Sequence, residues 1–99
     1  MHRILRAEAK TDFSLDLQFE DGARGHVDLS DFVASAEIAA PFRDPERFVA
    51  ALTLIEDGEI LRWDDQFELH ADSLRYRAFP EELKRDYGTG TPGQGRPAA

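Results

Sequence analysis

Apolar and polar side chains alternate along much of the first third of the chain. In residues 13–20, apolar side chains occupy every second position: Phe13, Leu15, Leu17 and Phe19. This two-residue period predicts a half-buried β-strand. Similar alternation in residues 5–10 and 23–29 predicts one strand before it and one strand after it. We therefore predict a three-stranded antiparallel meander.

Two Glu-Asp-Gly segments, at residues 20–22 and 56–58, each predict a hairpin turn. Cross-strand partners must point to the same face of a sheet. This condition favours a three-residue loop at 20–22, with Gly22 in a left-handed conformation. At the second turn it favours a two-residue loop, which sets Glu56 opposite Glu59 as a like-charge pair. The resulting register pairs apolar side chains: Leu54 with Leu61, and Leu52 with Trp63.

Helical signals lie between and after these strands. Residues 28–36 carry apolar side chains at helical spacing and predict a short helix. Asp44 followed by Pro45 has the form of a helix cap and a first-turn proline. Asp72 is the predicted cap of a further helix, which Pro80 interrupts or restarts. The predicted fold class is α+β, in which an antiparallel sheet is built from the three-stranded meander and the second hairpin, with short helices on one face. The predicted centre of the core is Leu17, Phe19, Phe32, Phe48, Leu54 and Trp63.

The chain of 99 residues is long enough for one domain and too short for two. We predict a single domain over residues 1–87 and a disordered tail over 88–99, where Gly, Pro and Thr offer little to bury. No segment approaches the roughly 20 apolar residues that a membrane-spanning helix needs, and the N-terminus lacks the apolar part of a secretory signal. We therefore expect no membrane association and a cytoplasmic location.

The net charge of −8 shapes the expected partners. Phosphate groups are repelled by such a surface, and the basic residues are scattered along the sequence instead of clustered. This pattern argues against direct nucleic-acid binding and favours a protein partner with a basic surface; the oligomeric state is left open. The side chains predicted to contact that partner are acidic and placed outward by strand parity or loop position: Asp16, Asp64, Asp65 and Glu68.

Residue types that carry catalysis form no recognisable site. The chain has no cysteine, and its three histidines are far apart in sequence, without the spacing that places two metal ligands on one helix face. With 20 acidic residues, two neighbouring carboxylates are expected by chance. We therefore expect no catalytic residue, metal or cofactor, and favour a protein-binding or regulatory module over an enzyme. The alternatives are a small hydrolase using Asp and His residues, and a DNA-associated regulator that depends on a partner.

Several short motifs follow one another across roughly residues 3–78: Phe19-Glu-Asp-Gly22, Val27-Asp-Leu29, Phe32, Pro41-Phe42, Asp44-Pro45 with Phe48, Leu61-x-Trp63 and Leu69-x-x-Asp72-x-Leu74. In order and spacing they resemble a family of short uncharacterised bacterial proteins, a domain of unknown function. The resemblance implies an α+β domain, found alone or fused to a helix-turn-helix segment and often encoded beside a small toxin-like partner. It implies no established activity, cofactor or catalytic residue. Together with the acidic charge and the lack of a recognisable catalytic site, it favours the antitoxin-like half of a two-protein system. The chain departs from the family at Asp65-Gln66, where an Asp-Gly or Asn-Gly turn is common.

Overall fold

The computed structural model describes residues 2–87, and the predicted tail at 88–99 lies outside them. The α+β class is confirmed, with two three-stranded antiparallel sheets where the sequence predicted one sheet. Within the described residues, no helix has the length and apolar character needed to cross a bilayer. In chain order the elements are β1 (Ile4–Ala9), β2 (Ser14–Phe19), β3 (Arg24–Asp28), α1 (Ser30–Ser35), a 3-10 helix (Glu37–Phe42), α2 (Pro45–Ala51), β4 (Leu52–Ile55), a three-residue turn (Glu56–Gly58), β5 (Ile60–Trp63), β6 (Phe67–His70), α3 (Ala71–Ala78) and α4 (Pro80–Tyr87).

The first sheet is the predicted meander, in the order β1-β2-β3. Leu17 pairs with Gly25, as the parity of the apolar positions requires. The Phe19 N–H donates to the Ala23 carbonyl at 2.8 Å, and Gly22 has a φ of +90°. The predicted three-residue loop, with its left-handed glycine, is therefore confirmed.

Strand β1 departs from the predicted alternation at its start. Its register against β2 shifts between Ile4 and Arg6, which is the mark of a β-bulge. Ile4 is 1% exposed, whereas Leu5 is 54% exposed. The predicted alternation over residues 5–10 sets Leu5 on the same face as Ala7 and Ala9. That part of the prediction is wrong, because the extra residue in the bulge reverses the faces on either side of it.

The second sheet has the order β4-β5-β6. Leu54 pairs with Leu61, as predicted. The loop itself is longer than predicted, because the ladder ends one pair earlier and residues 56–59 form the turn. Glu56 and Glu59 thus lie in the turn and are not a paired like-charge couple in the ladder. Strand β6, which extends this hairpin to a third strand, was not predicted.

The turn of the second hairpin also joins the two sheets. Gly58 is buried and has a φ of +88°. Its α-carbon lies directly against the backbone of Ile4 in β1, and a side chain at position 58 would collide with the Ile4 carbonyl. Only glycine meets both demands at this junction.

The predicted helices are present, with one difference in capping. The carboxylate of Asp44 accepts the Glu46 N–H at 3.1 Å and caps α2 as predicted. Helix α3 begins at Ala71, so Asp72 lies in its first turn and does not cap it. Asp72 instead accepts a hydrogen bond from the backbone N–H of His2 at 2.6 Å, which ties the start of the chain to α3.

Both sheets, α1, the 3-10 helix, α2 and α3 contribute to one hydrophobic core. The Trp63 ring stacks between Phe48 and Phe67, at centroid distances of 5.5 and 4.9 Å, and its Nε1 donates to the Phe48 carbonyl. Phe32 and Leu54 are only partly buried, because they pack against this core from its rim. The other predicted core residues are buried, as expected: Leu17, Phe19, Phe48 and Trp63.

Candidate functional site

The first sheet presents six polar side chains on its outer face, opposite the core. The register aligns them in two rows across the three strands. We name these the arginine row, Arg6–Gln18–Arg24, and the carboxylate row, Glu8–Asp16–His26. Because neighbouring strands lie about 4.8 Å apart, the outer α-carbons of each row are about 10 Å from one another.

In the carboxylate row, both acidic side chains have cationic or hydrogen-bonding partners. Asp16 accepts a hydrogen bond from the His26 Nδ1 at 2.8 Å and lies 3.3 Å from the Lys10 Nζ. These contacts, His26 first and Lys10 second, lower the pKa of Asp16 below its ordinary value. Lys10 Nζ also lies 3.8 Å from the Glu8 carboxylate. The negative charge of this row is therefore partly neutralised by its own neighbours.

The arginine row differs, because its cations have no acidic partner. Arg6 and Arg24 are both exposed, and neither guanidinium forms an ion pair or hydrogen bond with any residue from 2 to 87. Gln18 lies between them on the central strand and is half-buried. Two guanidinium groups and one amide thus present their donors to solvent, an arrangement suited to anionic or hydrogen-bonding ligands.

The acidic side chains predicted to contact a partner lie on two different sheets. Asp16 is on the outer face of the first sheet, whereas Asp64, Asp65 and Glu68 belong to the β5–β6 hairpin. Glu68 is committed to Arg62, whose Nε and Nη2 donate to its Oε2 at 2.9 and 2.6 Å. Asp64 and Asp65 are exposed in the turn. A role for these four side chains in partner binding stays a prediction.

Among residues 2–87, the most enclosed cationic group is Arg75, whose side chain is only 7% exposed. Its guanidinium donates to Glu82 at 2.8 and 3.0 Å and to Asp21 at 3.1 Å. It also lies 4.9 Å from the ring centroids of both Phe19 and Phe79. These bonds lower the pKa of Asp21 and of Glu82 below their ordinary values and raise that of the guanidinium, with Glu82 the largest cause. The contacts fasten the β2–β3 hairpin, which carries two members of the arginine row, to α3 and α4.

A cluster of metal ligands is absent from the part of the chain that the structure describes. No three His, Cys, Asp or Glu side chains converge there as ligands. Two of the three histidines make defined contacts: His26 bonds Asp16, and the His2 ring lies edge-on to Tyr76 at a centroid distance of 6.0 Å. The absence of a catalytic residue stays a prediction.

Comparison with known families bears on the identity of the fold. The sequence profile of DUF2442, described as a protein of unknown function, matches residues 4–80. The chain belongs to the DUF2442 family. The resemblance seen in the sequence motifs is thereby confirmed, and the family description supplies no activity. Comparison with curated proteins returns no match.

The fold of this DUF2442 chain is similar to that of a solved structure. The putative DNA-binding protein NE0471 from Nitrosomonas europaea superposes with a TM-score of 0.71 at 22% sequence identity. The match covers 88% of this chain and 59% of that chain, so the remainder of NE0471 has no counterpart here. At this level of identity, the likeness shows a shared fold.

The charge-based argument against direct nucleic-acid binding is contradicted by this likeness, because a protein with the same fold is a putative DNA-binding protein. The physical reason for the error is that net charge averages over the whole surface. It takes no account of which charges are paired, and therefore misses the unpaired Arg6 and Arg24. The β2–β3 register predicted from the sequence sets Gln18 beside Arg24, whereas the β1–β2 register that adds Arg6 to the row was not predicted.

Proposed function

We propose that this chain is a non-catalytic regulatory domain that binds DNA through the arginine row. The observation that carries the proposal is the pair of exposed guanidinium groups without acidic partners, Arg6 and Arg24, on either side of Gln18. Guanidinium groups are well suited to phosphate oxygens and to base edges. The likeness to NE0471 supports DNA as the class of ligand.

The acidic character of the chain restricts how such a complex can form. Carboxylates elsewhere on the surface repel phosphates, whereas those of the carboxylate row are partly neutralised by Lys10, and Asp16 is also hydrogen-bonded to His26. DNA is therefore expected to approach the outer face of the first sheet. Because the attraction comes from few cations on an acidic body, binding should be modest in strength and should weaken as salt is added.

A binding titration with matched charge variants tests the proposal. A fluorescently labelled 20-base-pair duplex is titrated at low ionic strength with the wild type and with the double variant Arg6→Gln/Arg24→Gln. The control is Arg77→Gln/Lys84→Gln, which removes two exposed cations that likewise form no ion pair within residues 2–87. We expect affinity to fall at least tenfold in the first double variant and less than threefold in the control.

Two outcomes would contradict the proposal. Equal losses in both double variants would mean that net charge alone governs the interaction. No measurable binding of any duplex by a folded wild-type chain would exclude direct DNA binding at this surface. Circular dichroism spectra and melting curves of all three proteins establish that the substitutions leave the fold intact.

The second candidate function is a protein-binding module, such as the antitoxin-like half of a cytoplasmic two-protein system. The observation in its favour is the exposed acidic turn at Asp64 and Asp65, together with the net charge of −8. A basic partner captured from the native host should associate more slowly with Asp64→Lys/Asp65→Lys and more slowly at higher salt. The same variant should bind the duplex at least as well as the wild type does, which separates the two candidates.

A further inference from the structure

We infer that the outer face of the first sheet enters the major groove of B-form DNA, where Arg6 and Arg24 contact the two phosphate backbones and Gln18 reads a base edge between them. This inference rests on the proposed function and specifies its ligand. It goes further by giving the three side chains of the arginine row two different tasks. Arginines at the margins position the sheet, and the central amide supplies sequence preference.

The width of the arginine row matches the major groove. The α-carbons of Arg6 and Arg24 are two strand spacings apart, about 10 Å. The major groove of B-DNA is about 12 Å wide, whereas its minor groove is only about 6 Å wide. With the strands running along the major groove, side chains on the two outer strands reach opposite walls, where the phosphates lie.

The central position suits Gln18 for reading bases. Its amide offers one donor and one acceptor, the pair that matches the N6 and N7 atoms on the major-groove edge of adenine. It is half-buried between its two neighbours in the row, which restricts its movement. Behind it, Phe19 packs in the core, and the Arg75 contacts hold the hairpin in position.

The carboxylates near this face have partners that limit their repulsion of DNA. The carboxylate row lies two residues along the strands, about 7 Å away. Its charge is neutralised in part by Lys10, and Asp16 is hydrogen-bonded to His26. Glu20, at the end of β2, lies 3.9 Å from the Arg3 guanidinium. The arginine row is therefore the part of this face where phosphates meet the least opposition.

Other nucleic-acid forms fit this face less well. The major groove of A-form RNA is too narrow for side chains to read. Single strands are usually held by bases stacked on aromatic side chains, and neither row contains Phe, Tyr or Trp. The one imidazole, that of His26, is hydrogen-bonded to Asp16. These features favour double-stranded DNA.

The two tasks can be separated by experiment. Duplexes are first selected from a randomised 18-base-pair pool with the wild-type protein, and an enriched adenine-containing motif is expected. Arg6→Gln and Arg24→Gln should weaken binding to selected and unselected duplexes alike. Each should also decrease the magnitude of the negative slope of log affinity against log salt by about 0.9. Gln18→Ala should reduce the preference for the selected duplex about tenfold and leave that slope unchanged.

The groove is tested with 7-deazaadenine, which lacks the N7 acceptor in the major groove. Replacing the adenines of the selected motif with this base should weaken wild-type binding about as much as Gln18→Ala does, without a further loss in that variant. An unaffected affinity, no enriched motif, or equal binding of single strands would overturn the inference while leaving DNA binding itself intact. A failure to bind any nucleic acid would instead overturn the proposed function.

Discussion

The two sheets share a local topology and differ in the chemistry of their outer faces. Each is a three-stranded antiparallel meander with its inner face in the common core. On the second sheet, Arg62 lies beside Glu68 and is held by two hydrogen bonds. On the first, Arg6 and Arg24 flank the uncharged Gln18 and have no acidic partner within residues 2–87. The candidate binding surface is therefore identified by unpaired cations that lie in one row on one sheet face, and not by how many charges the chain carries.

The strongest test of the comparison concerns the core that the sheets share. Trp63→Ala, in the second sheet, should lower the free energy of unfolding by about 3–5 kcal/mol, because it empties the stack between Phe48 and Phe67. The loss should affect both sheets in one cooperative transition, measured by circular dichroism and by amide hydrogen exchange. If the amides of the first sheet stay protected from hydrogen exchange while the second sheet unfolds, the two sheets have separate cores.

A smaller loss is expected from Arg75, which ties the first sheet to α3 and α4. Arg75→Met keeps much of the side-chain volume against Phe19 but removes the donors to Asp21 and Glu82, and should lower the free energy of unfolding by about 2–4 kcal/mol. Arg77→Met, an exposed position on the same helix, should change it by less than about 0.5 kcal/mol. Urea unfolding followed by circular dichroism measures the free energy of unfolding of both variants. Equal changes in the two variants would show that the bonds of Arg75 to Asp21 and Glu82 do not stabilise the fold.

The same cluster predicts a dependence of stability on pH. Arg75 lowers the folded-state pKa of Asp21 and of Glu82, so their stabilising contribution is complete above the ordinary carboxyl values near 4. It should be lost as pH falls through the lowered folded-state values. Glu82→Gln should therefore be less stable than the wild type at pH 7 and should lose less stability on acidification.

Urea unfolding at pH 7, 4 and 3 measures this difference. The matched control is Glu81→Gln, at an exposed neighbouring position without an ion pair within the described residues. Its loss of stability between pH 7 and pH 3 should follow that of the wild type. A Glu82→Gln variant that follows the wild type equally closely would contradict the assigned ion pair.

The smallest effect is expected from the paired cation of the second sheet. Glu68→Gln weakens an exposed ion pair with Arg62, and should lower the free energy of unfolding by no more than about 1 kcal/mol. It should not reduce affinity for duplex DNA, because the second sheet does not form the proposed surface. A marked loss of affinity in this variant, measured by the same titration of the labelled duplex, would remove the distinction between the two sheets.

Sequence reasoning recovered much of the fold because burial imposes strict parity on strands. The registers of both hairpins followed from pairing apolar positions such as Leu17 with Gly25 and Leu54 with Leu61. The bulge at Leu5 has no such signal, since Leu5 continues the apolar alternation of Ala7 and Ala9 in the sequence. Strand β6 was missed because its four residues give too short an alternation to distinguish from a loop.

The candidate site was harder to predict from the sequence, because it depends on contacts between residues that are distant along the chain. Arg75 and Asp21 are 54 positions apart, and nothing local to either predicts their bond. In the sequence, Arg75 belongs to a run of interleaved acidic and basic residues and is indistinguishable from exposed Arg77. The pairing of Gln18 with Arg24 followed from the predicted register of β2 and β3, whereas the place of Arg6 beside Gln18 did not. The lack of acidic partners became visible only once the surrounding carboxylates were placed.

The salt dependence of DNA binding tests the central claim most directly. Affinity for one labelled duplex is measured across a series of salt concentrations for the wild type, Arg6→Gln/Arg24→Gln and Arg77→Gln/Lys84→Gln. Affinity falls as salt rises, so the slope of log affinity against log salt is negative. If two phosphate contacts come from the arginine row, the magnitude of this slope should decrease by about 1.8 in the first double variant and stay unchanged in the second. A slope that is the same in all three proteins, or that falls equally in both double variants, would contradict the claim that the unpaired arginines of the first sheet form the DNA-binding surface.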